Sequence, residues 1–201
     1  MTASISCFAI AKETSEKRLY RLLSPIEGFS AKFTQQLLDP QGEILQTLSG
    51  VLHAQKPDKV HWAVFDPAAQ KIISNGTRLW IYDPDLEQVI IEPYSNNPEA
   101  NPISLLLGNL QQLNENFQLV AQSKASGSEQ WFTLKPMQSN ALYSKVKIEF
   151  KGQTLSAISF TNNFGQTTQL ALINFELNPI FDNELFNFKA PKGVDIVNHV
   201  R

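Results

Sequence analysis

The sequence predicts one large antiparallel β-sheet curled toward a barrel, with two or three short helices on its concave side. Three observations carry that prediction. Short apolar runs recur at residues 60–65, 71–74, 79–82 and 89–91, bounded by Lys56-Pro57-Asp58, Asp66-Pro67, Asn75-Gly76 and Asp83-Pro84-Asp85. Asn-Gly supplies positive φ and Asp-Pro opens tight turns, so such runs read as a meander of hairpins. Strand-like runs return after residue 117, and between the two sets lies a short leucine-rich stretch of helical character. The runs are also apolar on both sides: Val60, Trp62 and Val64 alternate with His61, Ala63 and Phe65, and Leu79 and Ile81 with Trp80 and Tyr82. Something must cover the second face, which is taken as the functional surface.

Composition narrows the function classes. The 201 residues fit one domain, and 42% apolar with 18% charged residues supports a core. A net charge of −2 with no block of like charges argues against a nucleic-acid footprint or a basic membrane-binding face. Cys7 is the single cysteine, so there is no internal disulfide framework and no cysteine-based metal cluster. His53, His61 and His199 share no metal-ligand spacing, and no G-x-S-x-G, P-loop or G-x-G-x-x-G occurs. The chain reads as no enzyme, with no catalytic residue, metal or cofactor. His61 reads as a structural or rim histidine. Asn75-Gly76-Thr77 matches a glycosylation sequon, but a hairpin turn explains it.

In chain order, residues 1–11 are small and apolar, and Ala9-Ile10-Ala11 has the form of a signal-peptidase site. A signal-peptide remnant and an ordinary N-terminus both stay open; the first gives a mature start near Lys12 and a single domain over residues 12–201. Leu19, Leu22, Leu23 and Ile26 have the spacing of an amphipathic helix that should end or kink at Ser24, before Pro25. Phe29, Ala31 and Phe33 mark a one-sided strand, and Asp39-Pro40-Gln41-Gly42 turns the chain into a second, residues 44–55. After the meander, Asn101-Pro102 and Gly108 frame a short helix that is apolar nearly all round through Ile103, Leu105, Leu106 and Leu107. A second short helix carries Leu110, Leu113 and Phe117. Strands follow at 117–122, 131–135, 143–151, 154–162 and 167–177.

Five stretches together resemble a known family: Phe29-Ser30-Ala31-Lys32-Phe33-Thr34-Gln35, Lys56-Pro57-Asp58-Lys59-Val60-His61-Trp62, Leu79-Trp80-Ile81-Tyr82-Asp83-Pro84, Asn101-Pro102-Ile103, and Phe186-x-Phe188-x-x-Pro191-x-Gly193-Val194. In this order, over roughly residues 15–198, they resemble the LolA family of periplasmic lipoprotein carriers. The resemblance implies an unclosed antiparallel barrel with an α-helical lid over an apolar cavity. It further implies a periplasmic monomer that binds lipoprotein acyl chains. Its partners are then an inner-membrane lipoprotein-releasing ABC transporter and an outer-membrane lipoprotein receptor. On that reading the cavity is lined by Leu23, Phe33, Trp62, Val64, Leu79, Ile81, Val89, Ile91, Ile103, Leu105 and Leu106. Leu79, Ile81, Val89 and Ile91 are placed at positions matching Trp62, and Val60 is a partner contact at the cavity mouth.

Lys56 stands where the family usually has arginine. The resemblance implies that the basic group there bonds lid carbonyls and favours the closed state, making Lys56 a lid latch; lysine offers a compact charge without the planar fork. The alternative is a solvated turn lysine that touches nothing. Two other functions remain. One is the outer-membrane receptor of the same fold, which needs a lipidated Cys7, although residues 4–6 lack the usual leucine-like residue. The other is a lipid-sensing module without transport.

Overall fold

The computed structural model describes residues 13–94, 113, 115–124, 128–139 and 141–200. The expected signal-peptide remnant and the Asn101–Gly108 helix, with Ile103, Leu105 and Leu106, lie outside the described residues.

Helix α1 spans Ser15–Leu23 and begins where Thr14 accepts the Lys17 amide at 3.3 Å. It stops before Pro25, and its buried stripe is Leu19, Leu22 and Leu23. The strands are β1 (Gly28–Leu38), β2 (Ile44–Gln55), β3 (Lys59–Asp66), β4 (Gln70–Asn75), β5 (Arg78–Asp83), β6 (Gln88–Pro93), β7 (Phe117–Lys124), β8 (Glu129–Pro136), β9 (Tyr143–Lys151), β10 (Thr154–Asn162), β11 (Thr167–Leu177) and β12 (Asp195–Asn198). A short 3-10 helix, Asn183–Phe186, precedes β12.

They form a single sheet in the order β12-β6-β5-β4-β3-β2-β1-β11-β10-β9-β8-β7. The sheet is open, with β12 and β7 at its edges, and eleven strands follow one another antiparallel, as expected. One departure is β12, which lies parallel to β6 and pairs Ile196 with Val89. Leu113, Glu115 and Asn116 are helical, but Phe117 opens β7 rather than continuing that helix.

The turns form where the sequence marks them. The side-chain oxygen of Asp39 accepts the amides of Gln41 and Glu43, and that of Asp83 accepts those of Asp85 and Leu86. Asn75 accepts from Thr77 and Arg78, while Gly76 takes φ 90°. The sequon asparagine is thus part of the β4–β5 hairpin itself.

The inner face is the one on which α1 packs. Leu19, Leu22 and Leu23 meet Phe29 and Phe33 of β1, Leu52 and Ala54 of β2, and Phe132, Ile148, Phe150, Leu155 and Ile158 across β8–β10. The buried Gln130 stitches this half together, accepting from the Arg18 guanidinium and donating to the Gly152 carbonyl at 2.9 Å. α1 therefore fills the β7–β11 half of the concavity. Among the described residues the β3–β6 half is not filled this way.

The outer face of β2–β6 is covered by the chain itself. After β11, residues 179–194 run across it as a strap. Phe188 and Val194 pack on Ile73, Trp80 and Val89, with Tyr82 and Ile91 at the margin. Phe186 is 1% exposed, and its helix lies against β3 and β4. Asn178 fixes the start of the strap: its Oδ1 accepts the amides of Glu27 and Gly28 at 2.9 and 3.0 Å, and its Nδ2 donates to the Pro25 carbonyl at 2.8 Å.

Candidate functional site

Strand register decides which residues look inward. One cross-strand row runs Ala31, Leu52, Trp62, Ile72, Ile81, Ile90 and Val197, through β1, β2, β3, β4, β5, β6 and β12. A second runs Ala54, Val60, Ser74, Leu79 and Glu92. Burial changes along the first row: Ala31 and Leu52 are 3% and 0% exposed, whereas Trp62, Ile72, Ile81 and Ile90 are half-buried. Trp62 still touches the core, its ring tilted against Phe33 with centroids 4.4 Å apart. Ile72, Leu79, Ile81 and Ile90 belong to neither packed cluster among the described residues. At about 4.8 Å per strand, the step from β3 to β12 gives an apolar wall roughly 20 Å wide.

The expected cavity residues divide into three groups. Trp62, Leu79 and Ile81 stand on the wall. Leu23, Phe33 and Val64 are 2%, 2% and 5% exposed inside the packed cluster, so they form its support rather than its surface. Val60, expected at the mouth as a partner contact, is 6% exposed in that same cluster, because pairing with Ala54 turns it inward.

Val89 and Ile91 are a correction. The β5–β6 connection holds four residues between the pair Asp83 and Gln88, so Ile81 faces Ile90 and Trp80 faces Ile91. A shift of one residue sends a strand's side chains to the other face. Val89 and Ile91 accordingly lie on the outer face under the strap, with Trp80 and Ile73. Ile90 takes their inner place. Ile72 was also missed, although the two-residue Gly76-Thr77 loop pairs it with Ile81 and so made it legible.

At the lower end of the wall, the Lys56 side chain is 24% exposed and its Nζ lies 3.2 Å from Glu27 Oε1. The Lys56 amide donates to the Glu27 carbonyl at 2.8 Å, tying the β2–β3 turn to the α1–β1 junction. Lys56 is thus paired, at a partly exposed site, rather than free, and the lid residues it was expected to latch lie outside the described set. Ser74, fully buried, donates to the Asp58 carbonyl at 2.9 Å and accepts the Gly76 amide, closing the row below Leu79.

The wall offers hydrocarbon contact and no reactive chemistry. Among the described residues no three metal-ligating side chains come together. The polar residues sharing its face, Gln70, Ser74, Asp83, Gln88 and Glu92, include one hydroxyl, that of Ser74, and it is committed to the Asp58 carbonyl rather than to a base.

Comparison with known proteins places this geometry in a family. Residues 24–189 match the family model for the outer membrane lipoprotein carrier protein LolA. The chain is 33% identical over 196 residues to an outer-membrane lipoprotein carrier protein of Chromohalobacter salexigens, covering 98% of this chain and 92% of that one. It is 32% identical over 189 residues to the protein so named in Azotobacter vinelandii, covering 94% and 90%. In fold alone it is similar to the crystal structure of an uncharacterized conserved protein from Thermus thermophilus. That likeness has TM-score 0.56 at 11% identity, over 90% of this chain and 99% of the other. By the extent of the model match and by these identities over nearly its whole length, the chain belongs to the LolA family of outer membrane lipoprotein carrier proteins.

Proposed function

We propose that the chain is a periplasmic carrier that holds the acyl chains of lipoproteins against the inner wall of β3–β6. On this reading it takes them from an inner-membrane releasing transporter and yields them to an outer-membrane receptor, working as a monomer. The observation that carries the reading is the row Trp62, Ile72, Ile81 and Ile90, which leaves the packed core and continues as half-buried hydrocarbon.

The energetics ask for such a surface. Each methylene kept from water is worth ~0.8 kcal/mol, so an acyl chain of ~16 carbons costs on the order of 10 kcal/mol to bring into water. A lipid-anchored protein needs an apolar host to cross an aqueous gap. The host must also release it, so the wall cannot be wholly exposed when empty. Half-buried residues meet both needs: cargo gains only the burial that the empty protein has not already realised.

Trp62 makes the test direct. In a background with Trp80→Phe and Trp131→Phe, titration with a triacylated peptide is expected to shift Trp62 emission to the blue or quench it. Saturable binding of that peptide with no change in Trp62 emission removes Trp62 from the wall. Absence of binding removes the carrier reading.

A further inference from the structure

Behind the proposed lipid wall, two imidazoles lie between the sheet and the strap. His53 on β2 and His61 on β3 are cross-strand partners, with ring centroids 5.8 Å apart. Phe181 of the strap stands edge-on to His53 at 5.7 Å, and Phe186 stands edge-on to Phe181 at 5.3 Å. Both nitrogens of His61 and Nδ1 of His53 are buried without a hydrogen-bond partner among the described residues. A neutral imidazole can tolerate that at a modest cost; an imidazolium, with two donors and a charge, cannot.

The charged groups facing the pair make protonation harder still. Lys32 on β1, Lys59 on β3 and Lys71 on β4 share the outer face with the histidines. Lys59 Nζ sits 5.8 Å from the centre of the Phe186 ring and 3.4 Å from Asn183 Oδ1. The carboxylates nearby are otherwise engaged or distant. Asp182 caps the 3-10 helix by accepting the Glu184 amide, Glu184 pairs with Lys189 at 3.2 Å, and Glu176 on β11 lies opposite Ser30, beyond β1. The strap itself is pinned at both ends, by Asn178 at the start and by the Asp195 amide on the Glu87 carbonyl at 2.8 Å. Its middle can lift while its ends stay in place.

We propose that His53 and His61 form an acid-sensitive latch for residues 179–187, shut over the outer face while both rings are neutral and lifted when the pair is protonated. Burial, with the neighbouring His53 and Lys71 charges, pushes His61 down to about 4, and burial lowers His53 as well. Because the closed form disfavours the proton, closure is at full strength above the ordinary histidine value of ~6.5 and weakens as pH falls toward 4. For His61 alone, the opening constant rises roughly fiftyfold between pH 7 and pH 4.5.

The test is hydrogen exchange of the whole chain without lipid, corrected for the intrinsic pH dependence of exchange. Protection of residues 179–187 is expected to fall roughly fiftyfold at pH 4.5, while α1 and β9–β10 stay protected. In His61→Gln, which is uncharged at both pH values, the drop should shrink to a few-fold at most. The latch is overturned if the parent strap is equally protected at both pH values, if His61→Gln opens as the parent does, or if the whole sheet exchanges together. None of these readings depends on cargo, so they stand apart from the carrier reading.

Discussion

Replacing Ile81 with asparagine separates the inner face from the outer. Ile81 faces inward between Ile72 and Ile90, half-buried and outside both packed clusters. Full burial of an isoleucine is worth about 1.5–3 kcal/mol, and half is realised in the empty protein, so an acyl chain gains about 1 kcal/mol from it. Asparagine loses that gain and sets an unpartnered amide against hydrocarbon, at about 2 kcal/mol. Together these give about 3 kcal/mol, or roughly 150-fold in Kd. Folding stability should change by only about 1 kcal/mol, because the side chain is half in water already. Ile91→Asn, one position along β6 from Ile90, reverses the pattern. Ile91 packs under the strap beside Trp80, Phe188 and Val194, so its loss should cost about 2–3 kcal/mol of stability and little affinity. In a chain of this size that lowers Tm by about 4–12 °C. Calorimetric titration with a triacylated peptide and thermal unfolding of both variants give the four numbers needed. If Ile91→Asn weakens binding while Ile81→Asn binds as the parent does, the faces are assigned the wrong way round.

Three further substitutions probe the supports of the wall. A Cβ at Gly50 would stand 1.9 Å from the Ala63 carbonyl oxygen and 2.9 Å from Phe33 Cζ. Gly50→Ala should therefore part β2 from β3 and lower stability by about 3 kcal/mol or more, and a Tm within about 2 °C of the parent would refute the close approach. Asn178→Ala removes three hydrogen bonds and leaves alanine at φ 52°. It should cost about 2–3 kcal/mol in denaturant unfolding, with Asn178→Gly recovering about 1 kcal/mol; no difference between the two variants would mean that the backbone conformation is not strained there. Lys56→Leu removes the ion pair with Glu27, which is too exposed to cost more than about 1 kcal/mol of stability. If Lys56 also latches the lid, the variant should load cargo yet release it to the receptor about fivefold more slowly; transfer at the parent rate leaves Lys56 with a structural role alone.

The strands were legible because their boundaries are local events. Asp39, Asn75, Asp83 and Asn162 each close a turn with their own side chains, and Pro25 ends α1, so these limits are present in a few adjacent residues. Facing was less legible because it depends on loop parity. The β4–β5 hairpin, with its two-residue loop, could have yielded Ile72; the β5–β6 loop offers closures of odd and even length, and only an even one, here four residues, turns Ile90 inward and Ile91 outward. The parallel pairing of β12 with β6 was not legible at all, since it joins residues more than a hundred positions apart with no turn between them.

The two-sided apolar pattern of β3–β6 states a need without saying what meets it. An apolar face must be covered by the chain, by a partner or by a ligand, and hydrophobicity reads the same in each case. The strap resolves half of the ambiguity: Phe186, Phe188 and Val194 cover the outer face with side chains from the same molecule. The inner face of the same strands receives no equivalent cluster among the described residues, although Trp62 joins it to the core. That asymmetry suits a carrier. Had the strap covered both faces the wall would be core, and had it covered neither, the strands would have no fixed backing against which cargo could be exchanged.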